Sequence, residues 1–297
     1  MNKLVITGSL GNVSQRLAAM LVRKGHQVTV VSHNPQRKKD IEELGATPVI
    51  GSILNKAFLT SLFSQADAVY TMVPPDFSLP DYNAFAQAVS TNYAEAIAEA
   101  GVKYVVNLSG SGSPLAGIKP LEGYHNLEKD LDAVNGINIL HLRPGGFYTN
   151  FYGAIGMIKY QDIIGNNFEE QVEVTMSHPE DIALAASQAL DKLDFVGHPI
   201  KYIVSDKRSG KDIAAVLGRA IGKPDLRWVC FSDTELLEAL MKNGIPEQVA
   251  QEYLVNAGIA LREGILDGHF NSHRYETFGS IKLEEFANEF AYVYQHS

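Results

Sequence analysis

Thr7-Gly8-Ser9-Leu10-Gly11-Asn12-Val13-Ser14 stands between an apolar run, Leu4-Val5-Ile6, and a segment of helical spacing. Gly8 can take a tight bend that a side chain opposes. Gly11 lacks a Cβ, so a ligand can approach the main chain. The unpaired amides at the following helix start face an anion there, and the helix dipole favours it. The chemistry these residues suggest is diphosphate binding, as at the first strand–helix turn of a dinucleotide site. Gly8, Ser9, Leu10, Gly11, Asn12 and Val13 are the contributing residues. The spacing is G-x-x-G-x-x-S, with Ser14 where a third glycine would ease helix–strand packing, so looser packing is expected there. An empty glycine turn in a sheet of the same kind is the plainer alternative. The next strand pattern ends in Val31-Ser32-His33-Asn34 without an acid, followed by Arg37, Lys38 and Lys39. An NAD site places Asp or Glu at that point to hold the ribose 2′-hydroxyl. A 2′-phosphate is instead drawn to cations. Ser32, His33, Asn34 and Arg37 therefore predict NADP, with NAD second. A solvated basic helix face is the alternative reading.

Other residues that could do chemistry follow later strand patterns. Met72, Val73 and Pro74 end the fourth, Ser109, Ser111 and Ser113 follow the fifth, and Pro144 and Gly145 end the sixth. In a parallel sheet these ends lie along one edge, beside the glycine turn. Met72, Val73, Pro74, Ser109, Pro144 and Gly145 are assigned to the cofactor. Ser111, Phe147, Tyr148 and Phe151 are assigned to a substrate pocket, whose aromatic content suits a flat apolar molecule. A core of Phe147, Phe151 and Tyr152 joining two lobes is the plainer alternative. Nine histidines occur without a spacing such as H-E-x-x-H, so no metal is expected.

The elements that position these residues alternate. Strand patterns at Leu4–Thr7, Gln27–Val31, Thr47–Ile50, Ala68–Val73, Tyr104–Leu108 and Ile137–Leu142 alternate with helical ones. These include Val13–Lys24, a helix after Asn34-Pro35, Tyr82–Ala100 and Asn126–Val134. The fold class is α/β, a doubly wound parallel sheet over residues 1–150. Residues 151–297 read as a smaller, mostly helical lobe, with room for the chain to cross back into the sheet. Its patterns are helices over His178–Leu190, Gly210–Ile221, Asp233–Asn243, Pro246–Glu263 and Leu283–Tyr294, and strands over Lys201–Val204 and Leu226–Phe231. The chain has 297 residues, 25 basic and 34 acidic, for a net charge of −9. That acidity argues against broad contact with nucleic acid. No apolar run has membrane-spanning length, and the start leads directly into a strand, so neither an anchor nor a secretion signal is expected. A single Cys230 excludes an internal disulfide and fits a reducing cytoplasm.

The sequence resembles the NmrA-like family of atypical short-chain dehydrogenases/reductases. The likeness is carried by Leu4-Val5-Ile6-Thr7-Gly8-Ser9-Leu10-Gly11, His33-Asn34-Pro35, Ala66-Asp67-Ala68-Val69-Tyr70 with Val73-Pro74-Pro75, and His125-Asn126-Leu127-Glu128. Leu142-Arg143-Pro144-Gly145-Gly146-Phe147-Tyr148-Thr149-Asn150-Phe151 is the most specific match. Asp181-Ile182-Ala183, Ile221-Gly222-Lys223-Pro224 and Leu283-Glu284-Glu285-Phe286 extend it over nearly the whole chain. The resemblance implies a Rossmann domain and a substrate lobe with NAD(P) between them. The family includes quinone and other reductases, as well as sensors that bind cofactor without turning it over. Three departures stand out: Ser14 for the third glycine, His33 for an arginine, and Gly51-Ser52 where the family often has Gly-Asp.

Ordinary short-chain dehydrogenases use Tyr-x-x-x-Lys, whose lysine lowers the tyrosine pKa. Here Tyr124 is followed by Glu128, which should raise that pKa, and Lys129 is out of register. Tyr124, His125 and Ser109 are weak catalytic candidates. His125 is expected to bond locally with Glu128, one helical turn away. The leading expectation is a cytoplasmic NAD(P)H-dependent reductase of a small carbonyl or quinone-like acceptor. The rival is an NADP(H)-binding redox sensor that regulates a protein partner.

Overall fold

The computed structural model describes residues 1–76, 78–115, 122–273 and 277–297. The first half runs β1 (Lys3–Ile6), α1 (Ser14–Arg23), β2 (Gln27–Ser32), α2 (Lys38–Glu43), β3 (Thr47–Ile50), α3 (Lys56–Phe63), β4 (Ala68–Thr71), α4 (Tyr82–Ala100), β5 (Tyr104–Leu108), α5 (Glu122–Asp132) and β6 (Asn138–Pro144). The second half runs β7 (Gly146–Phe147), α6 (Ile155–Gln161), β8 (Ile163–Asn166), β9 (Glu173–Ser177), α7 (Pro179–Lys192), β10 (Ile200–Ile203), β11 (Asp206–Ser209), α8 (Gly210–Ala220), β12 (Arg227–Cys230) and α9 (Asp233–Lys242). It closes with α10 (Glu247–Val249), a π-helical turn (Ala250–Val255), α11 (Asn256–Arg262), α12 (Gly268–His273), β13 (Thr277–Phe278) and α13 (Leu283–His296).

Among the described residues eight strands form one sheet in the order β13-β10-β6-β5-β4-β1-β2-β3, and all of its pairs are parallel. Alternation along each strand feeds two cores. Leu4, Ile6, Val28, Val30, Val106 and Leu142 pack under α1 and α7. Val5, Val31, Val69, Val105 and Ile139 pack under α3, α4 and α5. Burial on both faces explains why these strands read as continuous apolar runs. Caps fix the helix starts: Asp81 Oδ1 accepts from the Ala84 amide at 2.9 Å, and Gly101 ends α4 at φ 68°. The order reverses at β1, which lies between β4 and β2, so the ligand crevice of such sheets falls beside the glycine turn.

Some expected boundaries move. β4 stops at Thr71, ahead of Pro74-Pro75, and α5 is already helical at Glu122, where the described residues resume, so Tyr124 and His125 lie within it. The expected continuous helix over Pro246–Glu263 is interrupted by the π-helical turn. The chain returns to the main sheet through α7 and β10, and β10 pairs with β6 from Ile200↔His141 to Ile203↔Pro144. The rest packs around a third core of Tyr148, Phe168, Ile213, Leu217, Phe286 and Phe290. It also holds two small sheets, β11-β9-β7 and β12-β8.

Asp181 joins these parts. It is 2% exposed, and its Oδ2 accepts from Ser205 Oγ at 2.6 Å and from the Ser280 and Ile281 amides, each at 3.1 Å. Three donors suit a buried carboxylate and suit nothing smaller. Asp181→Ala is therefore expected to destabilise the protein by about 2–4 kcal/mol in urea denaturation. A loss below about 0.5 kcal/mol, the range of an ordinary surface site, would contradict this.

Candidate functional site at the sheet's carboxyl edge

The glycine turn has the conformation that its sequence requires. Gly8 sits at φ 90° and Ser9 at φ 53°. A Cβ on Gly8 would meet Ser14 Oγ at 2.5 Å and Met72 Sδ at 2.9 Å. The turn is pinned from both sides. The Ser9 amide donates to Val31 O at 3.1 Å, and Ser9 Oγ donates to Ser32 Oγ at 2.9 Å. Ser14 does not loosen the packing as expected. It is buried, and its Oγ donates to Thr7 O at 2.9 Å, filling the space of the absent glycine with a bond.

The start of α1 is left open. It has no side-chain cap and no acid in its first turn. Gly11 bonds back to Gly8 O at 3.1 Å, while the Leu10, Asn12 and Val13 amides find no main-chain acceptor among the described residues. Gly11 and Asn12 face solvent. Such a helix start attracts an anion by its free donors and its dipole. Asn12 Nδ2 also donates to Thr149 Oγ1 at 3.3 Å, bringing the segment after β7 up to the turn.

On the β2 side, Ser32 is buried, and His33 and Arg37 are exposed. Asn34 caps the turn into α2, its Oδ1 accepting from the Gln36 amide at 2.9 Å. Arg37 lies 3.3 Å from Asp40, and both side chains are half exposed. Gly51 is required by the Phe58 ring, which a Cβ there would strike at 2.4 Å.

Met72, Val73 and Pro74 lead away from β4, and Tyr93 OH donates to Met72 O at 3.1 Å. The Ser109 amide donates to Leu142 O at 2.8 Å, and the Ser111 amide to Pro144 O at 2.9 Å. The Ser109 and Ser113 hydroxyls are buried without a partner at hydrogen-bond distance among the described residues. Gly145 N donates to Ser177 Oγ at 2.9 Å, and a Cβ on Gly145 would meet Thr175 O at 2.5 Å. The loops after β1, β2, β4, β5 and β6 thus share one edge, as their sequence positions predicted.

The substrate residues divide. Ser111 and Phe147 stay near this edge. Tyr148 does not line a pocket: it is fully buried, stacks on Phe286 at 5.1 Å and donates to Ile281 O at 3.2 Å. Phe151 packs on the same lobe core. Of the aromatics in the core reading, Phe151 and Tyr152 pack on this lobe core, while Phe147 packs against the sheet core. A cavity of about 420 Å³ lined by Asn167, Phe168, Cys230 and Arg262 belongs to the lobe and contains none of the predicted site residues.

A model of the NmrA-like family matches residues 1–286. The chain belongs to the NmrA-like family. It is similar in structure to an NADPH-dependent quinone oxidoreductase from Escherichia coli complexed with NADPH, with a TM-score of 0.80 at 18% identity over 96% of this chain and 99% of that one. A triphenylmethane reductase from Citrobacter sp. gives 0.80 at 18% over 98% and 99%. A UDP-glucose 4-epimerase from Bifidobacterium longum in complex with NAD+ and UDP gives 0.70 at 13% over 99% and 98%. At these identities the likeness shows the fold. A search of curated proteins by sequence finds no match.

In this NmrA-like chain, the position that a lysine would hold in Tyr-x-x-x-Lys belongs to a buried ion pair. Arg143 Nε donates to Glu128 Oε1 at 3.0 Å and Nη2 to Oε2 at 2.5 Å, with both side chains under 10% exposed. Burial alone would push the Glu128 carboxyl up. The Arg143 guanidinium and His141 outweigh it and hold the carboxyl below its ordinary value. Arg143 Nη1 also donates to Tyr202 OH at 3.4 Å, and Tyr202 OH lies 2.7 Å from His269 Nδ1. His125 does not bond with Glu128; its Nδ1 faces Ser113 O at 3.1 Å. Tyr124 lies over Gly110 and is 37% exposed. Its phenol is pushed up by desolvation, not by Glu128, whose charge is committed to Arg143.

Arg143→Met strands a buried carboxylate and is expected to cost about 3–5 kcal/mol at pH 7 in urea. Adding Glu128→Leu should recover most of that loss. Glu128 binds its proton more weakly folded than unfolded. The stability it contributes is therefore complete above about pH 4.3 and is lost as pH falls through the lower folded value. Glu128→Gln should flatten the stability profile in that acid range, and a profile parallel to wild type would contradict the assignment.

Proposed function

We propose that this NmrA-like protein is an NAD(P)H-dependent oxidoreductase that reduces a small carbonyl or quinone-like acceptor, with NADP(H) favoured. The observation that carries this reading is the uncapped start of α1 behind the Gly8–Ser9 bend, at the reversal of strand order. The residues fit a dinucleotide. The Leu10, Asn12 and Val13 amides are placed to hold its diphosphate. Ser32, His33, Asn34 and Arg37 would border a 2′-phosphate, and Met72, Val73, Pro74, Ser109, Pro144 and Gly145 would border the nicotinamide end. When bound, the nicotinamide supplies a hydride. The solved NmrA-type structure with NADPH and the triphenylmethane reductase support the choice of cofactor and reaction class by analogy of fold.

The chain's own contribution is positioning. Ser109 can present a buried hydroxyl to an acceptor oxygen. Tyr124, raised in pKa and without a lysine, supplies little acid–base help near neutral pH. Acceptors that tolerate charge need less of it, so orientation carries the rate. The same deficit supports a second reading, a cofactor-dependent sensor that changes its affinity for a protein partner. A cytoplasmic location suits a reduced pyridine nucleotide and the free Cys230. No described helix is long and apolar enough to cross a membrane.

Calorimetry with NADPH and NADH, followed by NADPH oxidation with quinones and aldehydes, separates the readings. Binding with turnover supports the reductase. Binding without turnover, together with a partner affinity that depends on cofactor, supports the sensor. Gly11→Val places a branched side chain where a Cβ already comes within 3.1 Å of Gly8 O. It should weaken NADPH binding about 100-fold or more. Unchanged affinity in Gly11→Val would move the cofactor away from this turn.

A further inference from the structure

Asp267 stands immediately before α12, where an aspartate ordinarily caps a helix. Its carboxyl turns away from that task. Oδ1 accepts from Thr175 Oγ1 at 2.7 Å, and among the described residues no α12 amide donates to it. The residue is 6% exposed, and no cation lies within ion-pair distance of it among the described residues. Thr175 ties it to the carboxyl edge of the sheet. A Cβ on Gly145 would meet Thr175 O at 2.5 Å and Thr175 Oγ1 at 2.9 Å. Ser177, two residues further along β9, accepts from Gly145 N. Asp267 is thus one hydroxyl removed from Gly145, the residue after β6 assigned to the nicotinamide end. Its second oxygen, Oδ2, has no hydrogen-bond partner among the described residues. It is also not one of the sealed polar atoms, so it reaches accessible space.

Burial is the largest cause acting on this carboxyl and pushes it above its ordinary value. The Thr175 hydroxyl and Lys207 pull the other way and do not prevail. Lys207, on β11, is engaged with Glu173 at 3.3 Å. His269, two positions along on α12, faces the Tyr202 hydroxyl at 2.7 Å, and Arg143 is committed to Glu128. A carboxyl in such surroundings has a proton to give. Thr175 also decides where that proton sits. It donates to Oδ1, so the proton belongs on Oδ2, the open oxygen. Once the proton leaves, the bond from Thr175 is charge-assisted and steadies the carboxylate. The edge needs such a group, because Tyr124 has no lysine and its phenol holds its proton.

We infer that Asp267 is the proton donor of the reduction and that it makes unactivated carbonyl compounds substrates. This inference rests on the reductase reading above and goes one step beyond it. The acceptor's carbonyl carbon takes a hydride from the reduced nicotinamide and its oxygen takes the Oδ2 proton, leaving an alcohol, NADP+ and the Asp267 carboxylate. Water then returns a proton to Oδ2. NADPH oxidation by the full chain, with hexanal and 1,4-naphthoquinone as acceptors, tests this. A hydroquinone anion is far less basic than an alkoxide, so the quinone needs the acid less. Wild type should reduce both. Asp267→Asn should lower kcat for hexanal about 100-fold and for naphthoquinone less than about tenfold, with NADPH affinity within about threefold of wild type. Only the protonated carboxyl donates, so the wild-type hexanal rate should fall as pH rises through its value. Thr175→Val removes a bond to the ionised form and should move that fall to higher pH. It also carries the test if Asp267→Asn fails to fold. An Asp267→Asn variant that keeps wild-type hexanal turnover, or that loses both acceptors alike, overturns the inference and leaves the reductase reading intact. So does an unmoved profile in Thr175→Val, or a wild type that reduces naphthoquinone but not hexanal. A wild type that binds NADPH and reduces neither removes the reductase reading, and the inference falls with it.

Discussion

The bend from Gly8 to Ser9 is the constraint on which the site depends. A buried parallel strand must hand its chain to a helix within a few residues, and the backbone can turn that sharply only through positive φ. At Gly8 the space for a Cβ is already taken by Ser14 Oγ and Met72 Sδ. The same compression that excludes a side chain turns the next amides outward, because their ladder partners have ended. Ser14 shows that the rule concerns space and hydrogen bonding rather than glycine itself. Its hydroxyl fits where a third glycine would leave a gap, and it ties α1 to the end of β1 through Thr7 O. The open helix start follows from tight packing below it.

A second constraint lies one layer deeper, under the ends of β5 and β6. Placing Glu128 four residues after Tyr124 does more than delete a lysine. It installs an anion in the sheet–helix interface, and only a buried guanidinium with two-point geometry makes that anion tolerable. Arg143 meets this need from β6 and reaches on to Tyr202 in β10. The consequence for chemistry is local: the charge that could have acted on Tyr124 is consumed by Arg143. The phenol is partly desolvated and keeps its neutral form. Proton transfer by tyrosine is thereby disfavoured, while the glycine turn and the open start of α1 are untouched.

Much of the sheet was legible because burial on both faces writes long apolar runs, and because Asn34-Pro35 acts through nearest neighbours. The shared carboxyl edge of the strands was legible for the same reason: in a parallel sheet, every strand end reports its place. Features that depend on distant partners were not. Tyr148 looks like a pocket residue in a one-dimensional aromatic stretch, and its stacking on Phe286, more than 130 positions on, makes it core. His125 and Glu128 share a helix face, yet each is claimed by a partner from another element, Ser113 O and Arg143. The short strands β8, β9 and β11 carry little period because each holds four or five residues with mixed exposure. The π-helical turn has no residue pattern at all, so Tyr253 could not be placed in advance.

The way the chain crosses between sheet and lobe explains how the two halves of the site can differ in their tolerance of change. The chain leaves the sheet at Pro144, builds β7 to β9, and returns through α7 to β10. Ser177 Oγ fastens the exit to the return, accepting from Gly145 N and donating to Ile203 O at 2.6 Å. Asp181 fixes the later segment at Ser280 and Ile281 to the same point. Everything that would touch a diphosphate comes from loops inside the sheet, where backbone amides do the work and side chains matter by their absence. The lobe reaches the same edge through side chains instead: the Tyr253 hydroxyl donates to Asn83 Oδ1 on the first turn of α4. A substitution there alters the edge without disturbing a strand end.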